Sequence, residues 1–157
     1  FTSGTCLRKD FGFINELHSS PDLMLSAWKI NEYMPLHIVN SIKNFTKISN
    51  KKIGILGYTY KKDSDDIRDS LVPKLIRYIE REVPQKIYIC EPNLKNNKID
   101  DYKNLKLNEV TKISDIIIIA INHTPFDKNS IYLKLKKNCV VVDLWNTLNI
   151  NKFISKK

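Results

Sequence analysis

The 157 residues carry a formal charge of +9 with 42% hydrophobic content. That is ordinary globular material, excluding a disordered chain and sufficing for one well-buried domain plus an appendage. Only Arg8, Arg68, Arg77 and Arg81 are arginines and the lysines are spread along the chain, so the charge reads as a solvated surface, not a nucleic-acid patch, while still favouring anionic small molecules. The longest apolar run, Ile116 to Ile121, is far too short to span a bilayer and no signal peptide is visible. Neither nucleic acid nor membrane is an expected partner, and a cytoplasmic location is the default.

The chain opens at Phe1 directly into Thr5-Cys6-Leu7-Arg8-Lys9-Asp10, a small-residue turn with a cysteine followed at once by helical patterning. It reads as the back part of something larger, cut at or near a catalytic cysteine. Lys9 lies one helical turn beyond Cys6, and a helix N-terminus there would favour a thiolate in the same way. Asp10 offers a carboxylate for proton handling or water activation.

Helical patterning runs from Asp10 to about Ile48, with a turn at Ser19-Ser20-Pro21 and a second helix starting near Asp22. Pro35 inside that second run should kink the helix or interrupt its ladder. Trp28 and Tyr33 read as packing residues, whereas Asn31 fits either a site role or a buried interhelical hydrogen bond. From Lys51 onward strands and helices alternate: a glycine-ended strand at Ile53 to Gly57, a helix over 71–82, a strand over 86–90, a β-branched strand over 116–121, a helix over 132–137 and a strand over 139–144. The order predicts an α/β fold, a Rossmann-like parallel sheet with helices on both faces. Residues 1–49 form the end of a central helical, dimerising segment and residues 50–157 a nucleotide-binding domain. Cys90 and Cys139 sit in apolar runs as small core residues, and no CxxC spacing suggests a metal or disulfide framework.

Between the first strand and its helix lies a long, densely charged segment, Tyr58 to Ser70, whose length marks it as functional or disordered. Its mixed charges and leading aromatics suit an ordered binding loop for an anionic ligand. Arg68 has two readings: pairing with Asp65, Asp66 or Asp69 to order the loop, or reaching a ligand. His123 is equally open between a strand-end cap and a ligand-facing group.

Two stretches in order, Gly4-Thr5-Cys6-Leu7-Arg8-Lys9-Asp10 and Leu56-Gly57-Tyr58-Thr59-Tyr60-Lys61 through Asp66-Ile67-Arg68-Asp69-Ser70, resemble the UDP-glucose/GDP-mannose dehydrogenase family. That family carries G-[GS]-[ST]-C-[FL]-P-K-D around its nucleophile and LG-x-x-[FY]-K-x-x-[ST]-x-D-x-R-[ED]-S at the start of its last domain. Glu91-Pro92, Asn122-His123 and Asp143-Leu144-Trp145-Asn146 fall at the matching strand ends. The resemblance implies oxidation of the C6 alcohol of a nucleotide-diphosphate sugar to a carboxylate with NAD as cofactor, in two steps. It assigns Cys6 as nucleophile and Asp10 as the carboxylate that helps activate water. Lys9 and Arg68 match positions that approach the cofactor, Gly4 belongs to the substrate-contacting turn, and Tyr60 and Lys61 match the pair that contacts the substrate diphosphate. It implies a homodimer through the helix around Asn31 and an NAD-binding domain that these residues do not contain. Arg8 replaces the usual proline, and Trp145 stands where many members have an arginine that contacts the nucleotide. The competing readings are a non-catalytic nucleotide-sugar-binding module or partner subunit, and a basic nucleic-acid-binding domain.

Overall fold

The computed structural model describes residues 3–17, 22–126, 131 and 134–149, together with the backbone of 154–155. Two helices come first, α1 (Thr5–Leu17) and α2 (Asp22–Lys43). They are followed by β1 (Lys52–Leu56), α3 (Val72–Glu80), β2 (Lys86–Cys90), β3 (Lys98–Ile99), β4 (Tyr102–Asn104), α4 (Leu107–Ile113), β5 (Ile116–Ile119), β6 (Val140–Asp143) and β7 (Ile154–Ser155). The strands form one sheet in the order β3-β4-β2-β1-β5-β6-β7. Its central pairs β4-β2, β2-β1, β1-β5 and β5-β6 are parallel, and β3 and β7 close the two edges antiparallel.

Because successive side chains of a strand point to opposite faces, the central strands build two cores. On one face Ile53, Ile55, Ile87, Ile89, Ile116 and Ile118 meet the apolar stripes of α2 and α3. On the other, Leu56, Ile117, Ile119 and Val141 meet Val110 of α4, Phe126 and Cys139. The expected three-layer architecture is therefore present, and Cys90 and Cys139 are buried as the sequence suggested. Helix α2 runs through Pro35 without ending. The packing of Pro35, Ile38, Val39 and Ile42 against the core holds that turn in helical form although the ring supplies no N–H donor. The helix expected over 132–137 falls partly outside the described residues, and its described part, Lys134 to Lys137, is turn and irregular chain.

Two glycines let elements approach closely. A Cβ on Gly54 would lie 2.5 Å from Cγ1 of Val110 and 2.6 Å from Oγ of Ser114, so α4 sits directly on the bare backbone of β1. Gly57, at φ +89°, would meet Ile121 at 2.5 Å, and so brings the ends of β1 and β5 together. Chain order reverses between those two strands, with β2 on one side of β1 and β5 on the other. Open α/β sheets bind their ligands in the crevice outside the strand ends at such a switch point.

Candidate functional site

The chain leaving β1 is fixed by a buried polar cluster. Glu91, at the end of β2 and 2% exposed, accepts on Oε2 from the backbone N–H of Tyr58 at 2.7 Å and of Thr59 at 3.3 Å. The same oxygen lies 2.9 Å from Nε2 of His123, while Oε1 accepts from the N–H of Asn93 at 2.9 Å. Nδ1 of His123 meets two donors, the backbone N–H of Asp63 at 2.9 Å and the side-chain amide of Asn93 at 3.0 Å. Nδ1 must therefore accept, which puts the proton on Nε2, where it is donated to the Glu91 carboxylate. Burial pushes the Glu91 carboxyl upward, but bonds from His123, Asn93 and Tyr58 outweigh it and hold the group below its ordinary value.

Asp63 extends this latch outward. Its carboxylate accepts from the hydroxyl of Thr124 at 2.6 Å and the N–H of Thr124 at 2.8 Å, and both bonds lower its pKa. The loop after β1 is thereby stapled to the turn after β5. Beyond the staple the loop folds on itself. The N–H of Tyr60 bonds the carbonyl of Asp66 at 3.1 Å, and the hydroxyl of Ser70 bonds the carbonyl of Thr59 at 3.2 Å. The Arg68 guanidinium forks onto Asp66 through Nη2 at 2.8 Å and Nε at 3.0 Å, holding that carboxyl down at about 2.

The start of α1 docks on this loop. Gly4, at φ +115°, lies beneath the Tyr60 ring, where a Cβ would come within 3.0 Å of two ring carbons. The Ser3 hydroxyl donates to the Tyr60 carbonyl at 3.0 Å. Nη1 of Arg8 bonds Asp69 at 2.8 Å, and its guanidinium carbon lies 5.9 Å from the ring centre of Trp28 on α2. The Trp28 ring in turn stacks on Phe11 at 4.7 Å. A cavity of about 280 Å³ remains among α1, α2 and the loop, lined by Gly4, Arg8, Glu32, Asp69, Lys74 and Arg77 among others.

Of the residues singled out in the sequence, Gly4, Cys6, Tyr60, Lys61 and Arg68 come together. Cys6 is exposed in the first turn of α1, close enough to contribute to the field at Arg68. The Lys61 ammonium sits 5.3 Å from the centre of the Tyr60 ring. Lys9 and Asp10 lie on the open side of the same helix, 3.5 Å apart. Between the readings of Arg68 the geometry displays the pairing with Asp66, and His123 is a fully engaged, buried strand-end residue. In the sequence Asp63 and Glu91 stand out only as motif positions, and neither Asn93, in the turn after the second strand, nor Thr124 stands out as a functional residue. A carboxylate at the end of one predicted buried strand, with a histidine just past the end of the next, was the available signal. Among the described residues no group of three or more His, Cys, Asp or Glu side chains could hold a metal ion, and no helix is long and apolar enough to cross a membrane.

Comparison with known proteins places this arrangement. Residues 54–150 match the model of the UDP-glucose/GDP-mannose dehydrogenase family, UDP binding domain. The chain is 32% identical over 152 residues to UDP-N-acetyl-D-mannosamine dehydrogenase of Methanocaldococcus jannaschii, covering 93% of this chain and 34% of the relative. It is 30% identical over 162 residues to UDP-glucose 6-dehydrogenase of Rickettsia felis, covering 93% and 36%. The solved structure of UDP-D-ManNAc dehydrogenase from Pyrococcus horikoshii superposes with a TM-score of 0.72 at 26% identity, over 90% of this chain and 34% of that one. GDP-mannose dehydrogenase from Pseudomonas aeruginosa, at 20% identity and a TM-score of 0.71 over 90% and 36%, shares the fold. The chain spans about a third of the length of the curated relatives it matches. With the fold and the matched residues in agreement, this chain belongs to the UDP-glucose/GDP-mannose dehydrogenase family and contains its UDP-binding domain.

Proposed function

We propose that the chain is the C-terminal part of an NAD-dependent nucleotide-sugar 6-dehydrogenase, supplying the nucleophile Cys6 and the domain that holds the substrate's nucleotide. The observation that carries this reading is the docking of the Gly4–Cys6 turn under Tyr60, beside Lys61 and Arg68. An exposed thiol and exposed cations at one sheet end are what capture of a sugar aldehyde next to a diphosphate requires. Tyr60 and Lys61 contact the substrate diphosphate. Cys6 adds to the C6 aldehyde as a thiohemiacetal, a second oxidation leaves a thioester, and water activated by Asp10 releases the carboxylate and restores the thiol.

NAD, when bound, would supply the hydride acceptor for both oxidations, of the C6 alcohol to the aldehyde and of the thiohemiacetal to the thioester. The cationic side chains of Lys9 and Arg68 near Cys6 fit its phosphates, and the remainder of its site lies in a domain outside these residues. The names of the two relatives make UDP-N-acetylmannosamine and UDP-glucose the first substrates to try. Exposed Leu23, Ile30 and Tyr33 on α2, with Phe13 and Leu17 on α1, give a homodimer through the helix around Asn31 an apolar surface to bury.

Isothermal titration of the chain and its Lys61→Ala variant with UDP-N-acetylmannosamine, UDP-glucose, UDP and GDP-mannose tests the reading. Binding of a UDP-sugar that the variant weakens at least tenfold is expected. A folded chain that binds none of the four, or binds equally well without the lysine, overturns it.

A further inference from the structure

A second cavity, of about 300 Å³, opens at the ends of β2 and β4 and shares no lining residue with the one beside Gly4 and Arg8. Its floor is apolar, formed by half-buried Leu105 and Leu107 and buried Phe126, and its rim carries exposed Lys95, Asn96, Asn97 and Lys106. Asn104 on β4 shapes that rim. Its Oδ1 accepts from the N–H of Glu91 at 2.9 Å, and its Nδ2 lies within 3.2 Å of the carbonyls of Glu91, Leu94 and Asn96. The carbonyl of Asn97 is likewise spent, on the N–H of Asn104 at 2.9 Å. The acceptors of the segment are thus turned inward, while the N–H groups of Leu94, Lys95 and Asn96 have no acceptor among the described residues. Neither the Lys95 nor the Lys106 ammonium has a carboxylate partner among them either. Glu91 is the one carboxylate of the described lining residues, and its oxygens are occupied by Tyr58, His123 and Asn93.

We infer that this cavity is a second binding site, for a mononucleotide, with the phosphate on the donor-rich rim and the planar base on the apolar floor. Its volume is that of the smallest ligand pockets, whose usual plan is an apolar lining with a few placed polar groups. Unpaired ammonium groups beside unspent N–H donors select an anion. A free phosphate would leave Leu105, Leu107 and Phe126 uncovered, so the anion carries an apolar, planar body. The Asn96 and Asn97 amides each offer donors and an acceptor, which suits the edge of a base. Glu91 lines this cavity while its carboxylate holds the root of the loop that bears Tyr60 and Lys61. The site is therefore a neighbour of the nucleotide-sugar site proposed above and shares none of its residues.

AMP is the probe, with inorganic phosphate and adenosine as its two halves. Titrated into the isotope-labelled chain and followed by NMR, AMP should shift the amide signals of Leu94 to Asn97 and the ring signals of Phe126. Tyr60 and Lys61 should stay in place. Phosphate should move the first set alone, and adenosine the second. By calorimetry, the double variant Lys95→Ala, Lys106→Ala should bind AMP at least about tenfold more weakly, the loss expected for charge-assisted bonds to a phosphate. Lys61→Ala should bind AMP as the parent does. Both rim lysines are exposed, so the double variant should keep the parent's melting temperature. AMP affinity that the double variant leaves unchanged, or that Lys61→Ala abolishes, overturns the site. So does AMP that leaves Leu94 to Asn97 unmoved. Phosphate that binds as tightly as AMP overturns the mononucleotide assignment.

Discussion

Replacing Glu91 should weaken the whole domain through the root of the loop, by an amount that depends on how many donors are orphaned. In Glu91→Gln the amide can place its oxygen where Oε2 accepts from Tyr58, Thr59 and His123, but its NH2 then faces the N–H of Asn93. One buried donor is stranded, at about 2 kcal/mol. In Glu91→Ala the donors from Tyr58, Asn93 and His123 all lose their acceptor, and the cost rises to about 4 kcal/mol. At a urea dependence of about 2 kcal/mol/M, the unfolding midpoint followed by circular dichroism should fall by about 1 M and about 2 M. The same carboxyl gives the parent a pH dependence. Its folded pKa lies below the unfolded one, so the unfolded chain takes the proton first, and stability from this group is intact above about pH 4.3 and lost as pH falls through the folded value. Glu91→Gln should lack that acid-labile portion. Equal midpoints for the two variants, or an unchanged acid profile, would refute the hydrogen-bonded cluster as the source of the stability.

Gly54→Ala forces a methyl onto Val110 and Ser114 and should lower the melting temperature by about 6 °C, from about 2 kcal/mol of overpacking. Adding Val110→Ala should recover part of that loss, and strict additivity in the double variant would show that the contact is not the cause. Cys6 is exposed while burial pushes Cys90 and Cys139 up to about 12, so Ellman's reagent at pH 8 should titrate one thiol of the folded chain at once and the other two only in denaturant. Cys6→Ser should abolish the fast phase, and persistence of that phase would mean that the buried sites open readily.

The parallel core was legible because β-branched runs such as Ile116 to Ile119 have no other stable place than a strand covered on both faces. The edge was not. The β3–β4 hairpin buries Ile99 alone among its residues, and α4 offers Val110 and Thr111 within seven residues, so neither carries a period to detect. The hairpin did leave a trace in the two aspartates at its turn, with Asp100 at φ +47°. For the candidate site, motif resemblance singled out Cys6, Tyr60, Lys61 and Arg68, which lie at or near the surface. It could not find the groups that hold them, because the Glu91–His123 cluster joins three strand ends far apart in sequence. Nothing local in Asp63 or Thr124 announces a staple between loops.

The loop is held by two kinds of interaction, and salt should separate them. At its root the partners are buried: the N–H groups of Tyr58 and Asp63 bond Glu91 and His123, whose side chains are wholly enclosed. At its outer end the partners are exposed charges, Arg68 with Asp66 and Arg8 with Asp69. Exposed pairs are screened as ionic strength rises, whereas enclosed ones are not. Amide exchange followed by NMR between about 0.05 M and about 1 M sodium chloride should therefore speed at Arg68, whose N–H bonds Asp66, while Tyr58 and Asp63 keep their protection. Uniform acceleration along the loop would refute this division and make the loop a single charge-held unit. If the division stands, the Arg8–Asp69 pair is the part of the docking of α1 that salt can loosen. The position of Cys6 over the loop is then adjustable by the ionic surroundings, although the loop beneath it is not.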